Sequence, residues 1–568
     1  MVRSTVHKGI LGWPVAAATL LVACGGGGGS DSGGGSPAPS GPSLTLTLSS
    51  ASAKVRDAVT LNWTSTASSC TASGDWTGAK SATGSESLSR TTAGTYQFTL
   101  NCASAGGQST SSTATLTVRA RVASDYYVYE DAGVSISNSN EDTVRVDHAI
   151  NYIDLNGDGI QDSLIVGGEF PNSGGTNDGS LPVSWFKTQR VNVILGGTTQ
   201  SDGASLFPAG RPTYIAASWP VVFDFNDDGK EDIVIPDLGP DTTGNPGAQT
   251  TVYLAEGGTW KAATMELKAT SLHGGAAGVI NGQRVFFSNT LHCECADEVP
   301  FLYRFDGAKF VVDRSLLPSF VTDSTTYTPI GGQPREIPVR NWTSVAIHDL
   351  DGDGRDDLIL GDFAVNFPTD PIPGSRVMFG SASGWATGSS LRLPDPQGAP
   401  LSVLTMLSVQ VADLDNDDRP DLVVSYTDHY NTHGIQILLN NGNRSFTDAS
   451  STALGAMAYL PDIASRTVKV MDLNGDSCVD IVEYDKGGRW LLNDCQGHFV
   501  DVSQALASVT NVKGRRNILP FPDSTGRVSF FVPMTTAPAT GSTLGGVRYA
   551  RLRNLENLPT PVNGQFSF

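Results

Sequence analysis

Positive charge is scarce in this chain: 37 Lys and Arg against 57 Asp and Glu in 568 residues leave a formal charge of −20. That balance repels a nucleic-acid backbone and argues against nucleic acid as a partner. Long hydrophobic runs are also missing. The apolar stretch from Ile10 to Ala23 falls short of the roughly 20 residues that span a bilayer. There is no His-Glu-x-x-His helix and no Gly-rich loop followed by Lys, which removes the common zinc-hydrolase and phosphate-cradling motifs. Histidines at 148, 273, 348, 429, 433 and 498 are scattered. His429 and His433 share the segment Thr427 to Gly434 with Tyr430, which reads as an exposed connection or part of a binding face. Gly475-Asp476-Ser477-Cys478 looks superficially like a serine-nucleophile segment but lacks the glycines that should follow. No catalytic residue is assigned.

Acidic repetition is abundant instead. One nine-residue pattern occurs five times, with carboxylate or amide oxygens at positions 1, 3, 5 and 9. The copies are Asp154, Asn156, Asp158, Asp162; Asp224, Asn226, Asp228, Asp232; Asp349, Asp351, Asp353, Asp357; Asp413, Asp415, Asp417, Asp421; and Asp472, Asn474, Asp476, Asp480. Calcium takes six to eight oxygens, and alternate positions of a tight loop can turn three short side chains toward one centre. Position 7 can add a backbone carbonyl, from Ile160, Lys230, Arg355, Arg419 and Cys478. The pattern therefore predicts about five calcium ions. Position 6 must turn sharply, as Gly159, Gly229 and Gly354 can. Asp418 and Ser477 depart from glycine there.

An EF-hand would close with Glu at position 12 and enter a helix. Here position 12 is Ile165, Ile235, Leu360 and Val424, with Glu483 only in the fifth copy. Short apolar runs follow, such as Leu422-Val423-Val424, so each loop is expected to join two strands of a sheet. First positions at 154, 224, 349, 413 and 472 leave one double step, which places a hidden unit near Gly282-Gln283-Arg284-Val285-Phe286-Phe287. Gly526-Arg527-Val528-Ser529-Phe530-Phe531 repeats that degenerate form. An apolar strand, a turn and an aromatic recur behind most units: Val252 to Trp260, Phe301 to Phe310, Val377 to Trp385, Ile435 to Phe446 and Leu491 to Phe499. Seven units of about sixty residues suit four-stranded blades, so the expectation is an all-β chain whose residues 123–568 form a seven-bladed β-propeller. Tyr126-Tyr127-Val128-Tyr129 should complete the last blade.

Val411-Ala412-Asp413-Leu414-Asp415-Asn416-Asp417, then Asp421-Leu422-Val423-Val424 and Leu438-Leu439-Asn440-Asn441-Gly442-Asn443, resemble the FG-GAP/VCBS repeat family, which includes the integrin α head. The resemblance covers roughly residues 123 to 555 and implies calcium in hairpin loops near the blade edges, held at positions 1, 3, 5, 7 and 9. It assigns no metal to the two degenerate units. Such repeats serve many functions, so the resemblance says little about the ligand.

Ahead of the repeats, Arg3, His7 and Lys8 precede the apolar stretch, and Leu21-Val22-Ala23-Cys24 resembles a bacterial lipoprotein cleavage box. Residues 1–23 read as a signal peptide, with Cys24 the lipidated residue and residues 24–42 a Gly/Ser/Pro tether. Gly25 and Gly26, rather than Asp, after that cysteine favour an outer-membrane address. Residues 43–119 alternate apolar and polar positions and look like an immunoglobulin-like sandwich acting as a spacer, with Cys70 and Cys102 as its disulfide. Cys478 with Cys495 is a second candidate pair. Cys293 and Cys295 are open to a strained disulfide, to pairings elsewhere or to a soft metal. The preferred function is a calcium-binding, surface-exposed lipoprotein whose propeller serves non-catalytically in binding or adhesion to a protein or glycan. The alternative is a secreted, calcium-dependent polysaccharide-acting enzyme such as a lyase.

Overall fold

The computed structural model describes residues 41–136, 145–170, 188–196, 204–215, 217, 219–239, 247–266, 272–290, 299–327, 334–338, 342–362, 374–396, 404–428, 432–460, 468–483, 489–510, 519–522, 525–533 and 547–567. The signal and tether expectations with Cys24, the Cys293 and Cys295 pair, and His429 with Tyr430 lie outside these residues. The chain divides into two compact units, residues 1–120 and 121–568. No helix among the described residues is long and apolar enough to cross a membrane.

In the first unit, alternating residues become alternating burial along Val59–Ser65. That strand pairs with Leu44–Leu48 and Thr83–Leu88 in one sheet. A second sheet runs in the order Ser52–Lys54, Ser109–Arg119, Gly94–Ala103, Ser69–Gly74, Gly78–Lys80. Leu61, Trp63, Phe98, Leu100 and Leu116 share the core, where the Trp63 and Trp76 rings meet edge-on at 5.4 Å. Cys70 and Cys102 are bonded. They face each other directly across neighbouring strands of one sheet, whereas an immunoglobulin disulfide bridges two sheets.

Seven larger sheets are described in the second unit. The first pairs Arg145–Ile153, Asp162–Phe170 and Asn192–Ile194. The next five have four strands in sequence order and begin with Val221–Phe223, Leu272–Ile280, Trp342–His348, Leu404–Ala412 and Val468–Met471. In the fifth, Tyr459–Leu460 adds a strand. The seventh joins Leu519–Pro522, Val528–Pro533 and Val547–Asn554 to Tyr127–Ile136 from the start of the unit. The expected loan of the Tyr127 strand is thus realised.

The second strand of each sheet sends successive side chains to opposite neighbours. Leu164 and Val166 share a core with Ile233 and Ile235 of the second sheet, while Ile165 joins Trp490 and Phe530 of the sixth and seventh. Val234 meets Phe286 and Phe301 of the third sheet, and Val285 and Phe287 meet Leu358 and Leu360 of the fourth. Ile359 then packs with Leu422 and Val424, and Val423 with Ile481. Val482 returns the series to Phe530 and Ile165. Burial on both faces explains why these strands read as continuous apolar runs rather than alternations. Each buried Val, Leu, Ile or Phe contributes about 1.5–3 kcal/mol, so every junction between sheets is a small core of its own. First strands of consecutive sheets, from Val221–Phe223 through Val468–Met471, lie side by side. This all-β array of four-stranded sheets has the arrangement of a β-propeller.

Candidate metal centres

The five acidic loops fold alike because the same amides meet the same carboxylates. In the first, Asp154 Oδ1 accepts the N–H groups of Gly157 and Asp158 at 2.8 and 3.0 Å, and Oδ2 accepts that of Gly159 at 2.7 Å. Asp224, Asp349, Asp413 and Asp472 repeat this capping of positions 4 to 6 in whole or in part. Position 5 then accepts the N–H of position 7 in all five loops, at 2.8–3.0 Å. Position 6 is left-handed throughout: φ is 82° at Gly159, 82° at Gly229, 81° at Gly354, 63° at Asp418 and 69° at Ser477. The two departures from glycine adopt the same turn. Position 4 is left-handed as well, at Gly157, Asp227, Gly352, Asn416 and Gly475. Sequence reasoning missed it, although Gly, Asp and Asn are the residues that tolerate this backbone.

Position 9 carries a load the sequence did not reveal. Asp162, Asp232, Asp357 and Asp480 are fully buried and Asp421 is 1% exposed. One oxygen of each accepts the amide of position 2, as Asp357 Oδ2 does from Leu350 at 2.9 Å. The other accepts an amide in or just past the third strand: Gly196, Ala255, Gly380, Asn440 or Asn493, at 2.6–2.9 Å. This carboxylate therefore fastens the loop to itself and to the sheet. Burial pushes the Asp357 carboxyl up to about 7; the amides of Gly380 and Leu350 oppose the shift, and Asp351 and Asp349 add to it. Asp480 is pushed up to about 8, and Asp232 and Asp421 to about 6, with burial the largest cause in each. Asp162 moves in the same direction for the same reason. A buried carboxylate beside others stays ionised readily only with a cation near it.

The third and fourth loops, where position 3 is Asp rather than Asn, each gather three carboxylates. Asp349, Asp351 and Asp353 each bring an oxygen within 4.8 Å of the others, as do Asp413, Asp415 and Asp421. Asp415 Oδ1 is buried without a hydrogen-bond partner, an acceptor that a cation would satisfy. Calcium, held by positions 1, 3, 5 and 9 and the carbonyl of position 7, would supply the neutralising charge. Asp476 also lies near Cys478 and Cys495, but those two sulfurs are bonded to each other. They offer no thiolate, and Cys478 keeps only its carbonyl role. Arginines already lean on three loops. Arg284 meets Asp227 at 2.5 Å, Arg444 meets Asp351 at 2.6 Å, and Arg419 pairs with Asp417.

Three of the loops, the first, third and fourth, are also stitched to the following sheet. The carbonyl of position 2 accepts Trp260 Nε1 at 3.0 Å from Leu155's loop, Asn440 Nδ2 at 2.7 Å from Leu350's, and Asn493 Nδ2 at 2.8 Å from Leu414's. These donors lie 79 to 105 residues away in sequence. Trp260 is visible in the sequence as part of a recurring aromatic and Asn440 as part of the Leu438 to Asn443 motif, but neither pattern shows the loop that each would reach. Outside the loops, Glu483 forms a buried pair with Arg489, which takes it out of any position-12 ligand role. His433 is buried, His348 is exposed and His498 pairs with Asp494 at 3.2 Å.

Residues 413–483 match the family model described as an FG-GAP-like repeat. Curated protein sequences return no match. Among solved structures, the chain is similar to a quinonprotein alcohol dehydrogenase-like protein of Bacteroides thetaiotaomicron, at 9% identity over 79% of this chain and 93% of that one, TM-score 0.29. It is similar to the extracellular domain of BT4673 from the same organism, at 12% identity over 75% of this chain and 40% of that one, TM-score 0.36. It is also similar to AofleA of Arthrobotrys oligospora, at 10% identity over 63% of this chain and 86% of that one, TM-score 0.32. Likeness this distant leaves function to the residues themselves. The match spans the fourth and fifth acidic loops and the strands from Asp421–Asp428 to Asp480–Glu483, so residues 413–483 are an FG-GAP-like repeat within an all-β array of four-stranded sheets.

Proposed function

We propose that the second unit is a seven-bladed, calcium-stabilised propeller that serves as a non-catalytic binding module for a protein or glycan. It is held at the bacterial outer membrane by lipid on Cys24, with the immunoglobulin-like first unit as spacer. The observation that carries this reading is the sameness of the five loops: each holds three or four acidic or amide side chains in one hydrogen-bonded frame. Frames of this kind concentrate charge on carboxylates already fixed by backbone amides. A cation there stabilises structure rather than driving a reaction. Binding then belongs to the connections and edges that the stabilised sheets present.

Calorimetric titration of the chelated, lipid-free protein with calcium tests the metal part. About five equivalents taken up together with a large rise in melting temperature is the expected result. Absence of calcium uptake would remove it. A screen of glycans and bacterial surface extracts against the calcium-loaded protein tests the binding part, and silence across the screen would count against it.

A further inference from the structure

Among the described residues, a cleft of about 410 Å³ opens where first strands of the first, fifth and sixth sheets meet the leading hairpin of the seventh. That volume lies in the range of small-molecule sites, roughly 300–1,000 Å³. Its walls are apolar over much of their extent, with Tyr152, Met471, Phe521 and Val528 among them. Four polar side chains break this lining: Asn151, Gln161, Gln410 and Lys469.

Two of the four are incompletely satisfied. Lys469 stands on the strand Val468–Met471, and its Nζ lies 4.5 Å from the centroid of the Trp219 ring. Among the described residues that ring face is its partner; no carboxylate or carbonyl takes a hydrogen bond from the ammonium. Asn151 donates from Nδ2 to the Pro220 carbonyl at 2.5 Å, but its Oδ1 is buried and accepts nothing. A half-buried cation without an anion is unfavourable, and proteins retain one where a ligand completes it. Burial lowers the Lys469 pKa to about 8, which still leaves the ammonium predominantly protonated at neutral pH.

We propose that this cleft binds a small hydroxycarboxylate, its carboxylate on Lys469, a hydroxyl against the side-chain amides of Gln161 and Gln410 and its carbon frame against Tyr152 and Phe521. The chemistry is shared by sugar acids and by short hydroxy acids, and the volume admits either. The site lies outside the acidic loops and is independent of whether the propeller docks a macromolecule. Its failure would leave the calcium reading intact.

The test is calorimetry on the calcium-saturated full chain with glucuronate, lactate, benzoate, glucose and chloride as probes. At least one of glucuronate and lactate is expected to bind about tenfold more tightly than glucose, benzoate and chloride; which one binds identifies the source. Lys469→Met should weaken that binding about thirtyfold, and Lys469→Arg should restore most of it. The ligand-free melting temperature of Lys469→Met should stay level or rise by a few degrees, because a half-buried charge without an anion has been removed. Three results would overturn the proposal. They are no binding by either hydroxy acid, equal binding by chloride or benzoate, and a Lys469→Met protein that melts several degrees lower while binding as before.

Discussion

The second and third sheets of the propeller share a core and the same four-strand order, yet they turn from first strand to second by different means. The second uses the acidic loop between Phe223 and Asp232. The third uses only Asn281 and Gly282, with φ of 54° and 70°, and Ile280 pairs directly with Gln283. Two consecutive left-handed residues are what a tight hairpin of this hand requires. A sheet of this kind can therefore be closed by two residues. The acidic loop spends several more and crowds carboxylates together, so its purpose is to hold charge rather than to reverse the chain. Arg284, just past the short turn, reaches back to Asp227 and, at 2.8 Å, to the Asp224 carbonyl. The sheet without an acidic loop thus lends a cation to its neighbour.

Chelation should separate these two designs most strongly. If calcium fills the loops, its removal is expected to lower the melting temperature of the second unit by roughly 10 °C, from mass action at several sites spread over a domain of this size. Hydrogen exchange should then accelerate at amides such as Gly229 and Gly354, while the Asn281–Gly282 hairpin stays as protected as before. Equal loss of protection in both would mean the loops are not the calcium sites.

Single substitutions sharpen the distinction between fastening and ligation. Asp357→Ala strands the amides of Leu350 and Gly380, so it should cost about 2–4 kcal/mol already without calcium and more with it. Asp351→Ala removes a proposed ligand whose described partners are the exposed Arg444 and the exposed amide of Asp353, so without calcium it should cost less than Asp357→Ala, about 1 kcal/mol. In calcium its cost should rise toward that of Asp357→Ala. Urea unfolding in calcium and in chelator reads both; an Asp351→Ala cost that ignores calcium would make the third cluster purely structural.

pH should act on the same carboxylates. Asp357, Asp421 and Asp480 have folded pKa values raised to about 7, 6 and 8. An acid whose pKa is raised on folding stabilises the protein while protonated, fully so below its unfolded value near 4, and loses that contribution as pH climbs through the folded value. The metal-free second unit is thus expected to melt at progressively lower temperature from about pH 4 to pH 8. Calcium requires the ionised form, so its stabilising effect should grow over the same interval. Melting scans at four pH values with and without calcium would show two diverging curves; parallel curves would contradict the coupling.

Local chemistry made much of this architecture readable, and distance hid the rest. Alternating oxygens at positions 1, 3, 5 and 9, the apolar strand behind each loop and the double step near Val285 are all short-range patterns, and each has its counterpart in the folded chain. The Tyr127 strand could be placed because a ring of sheets needs a closing strand. Contacts such as Asn440 to Leu350 join residues 90 apart and leave no mark on either neighbourhood. Trp385 reads as an outer-strand aromatic but occupies a short 3₁₀ turn ahead of the strand Ser390–Arg392. Lys469 looks like an ordinary polar residue at a strand position, and only the surrounding sheets reveal that it faces a cleft.

The finest contrast lies between loops with and without a lent arginine. Arg444 sits on Asp351 at 2.6 Å and near Asp353 at 3.6 Å, with its guanidinium over the Phe379 ring at 4.8 Å. Such a cation half-neutralises the third loop and competes with any ion that enters it. Its side chain is 41% exposed, so the pair is worth at most about 1 kcal/mol. Arg444→Ala should accordingly raise the calcium affinity of the third loop by up to about fivefold and slightly destabilise the metal-free protein through the lost ring contact. The fifth loop, where Asp476 accepts Thr560 Oγ1 at 2.6 Å rather than a cation, should keep its affinity unchanged in the same variant. Site-resolved titration by NMR of the Gly354 and Gly475 amides would report both loops at once. Weaker calcium binding at Gly354 after the substitution would show that Arg444 organises the loop instead of competing for it.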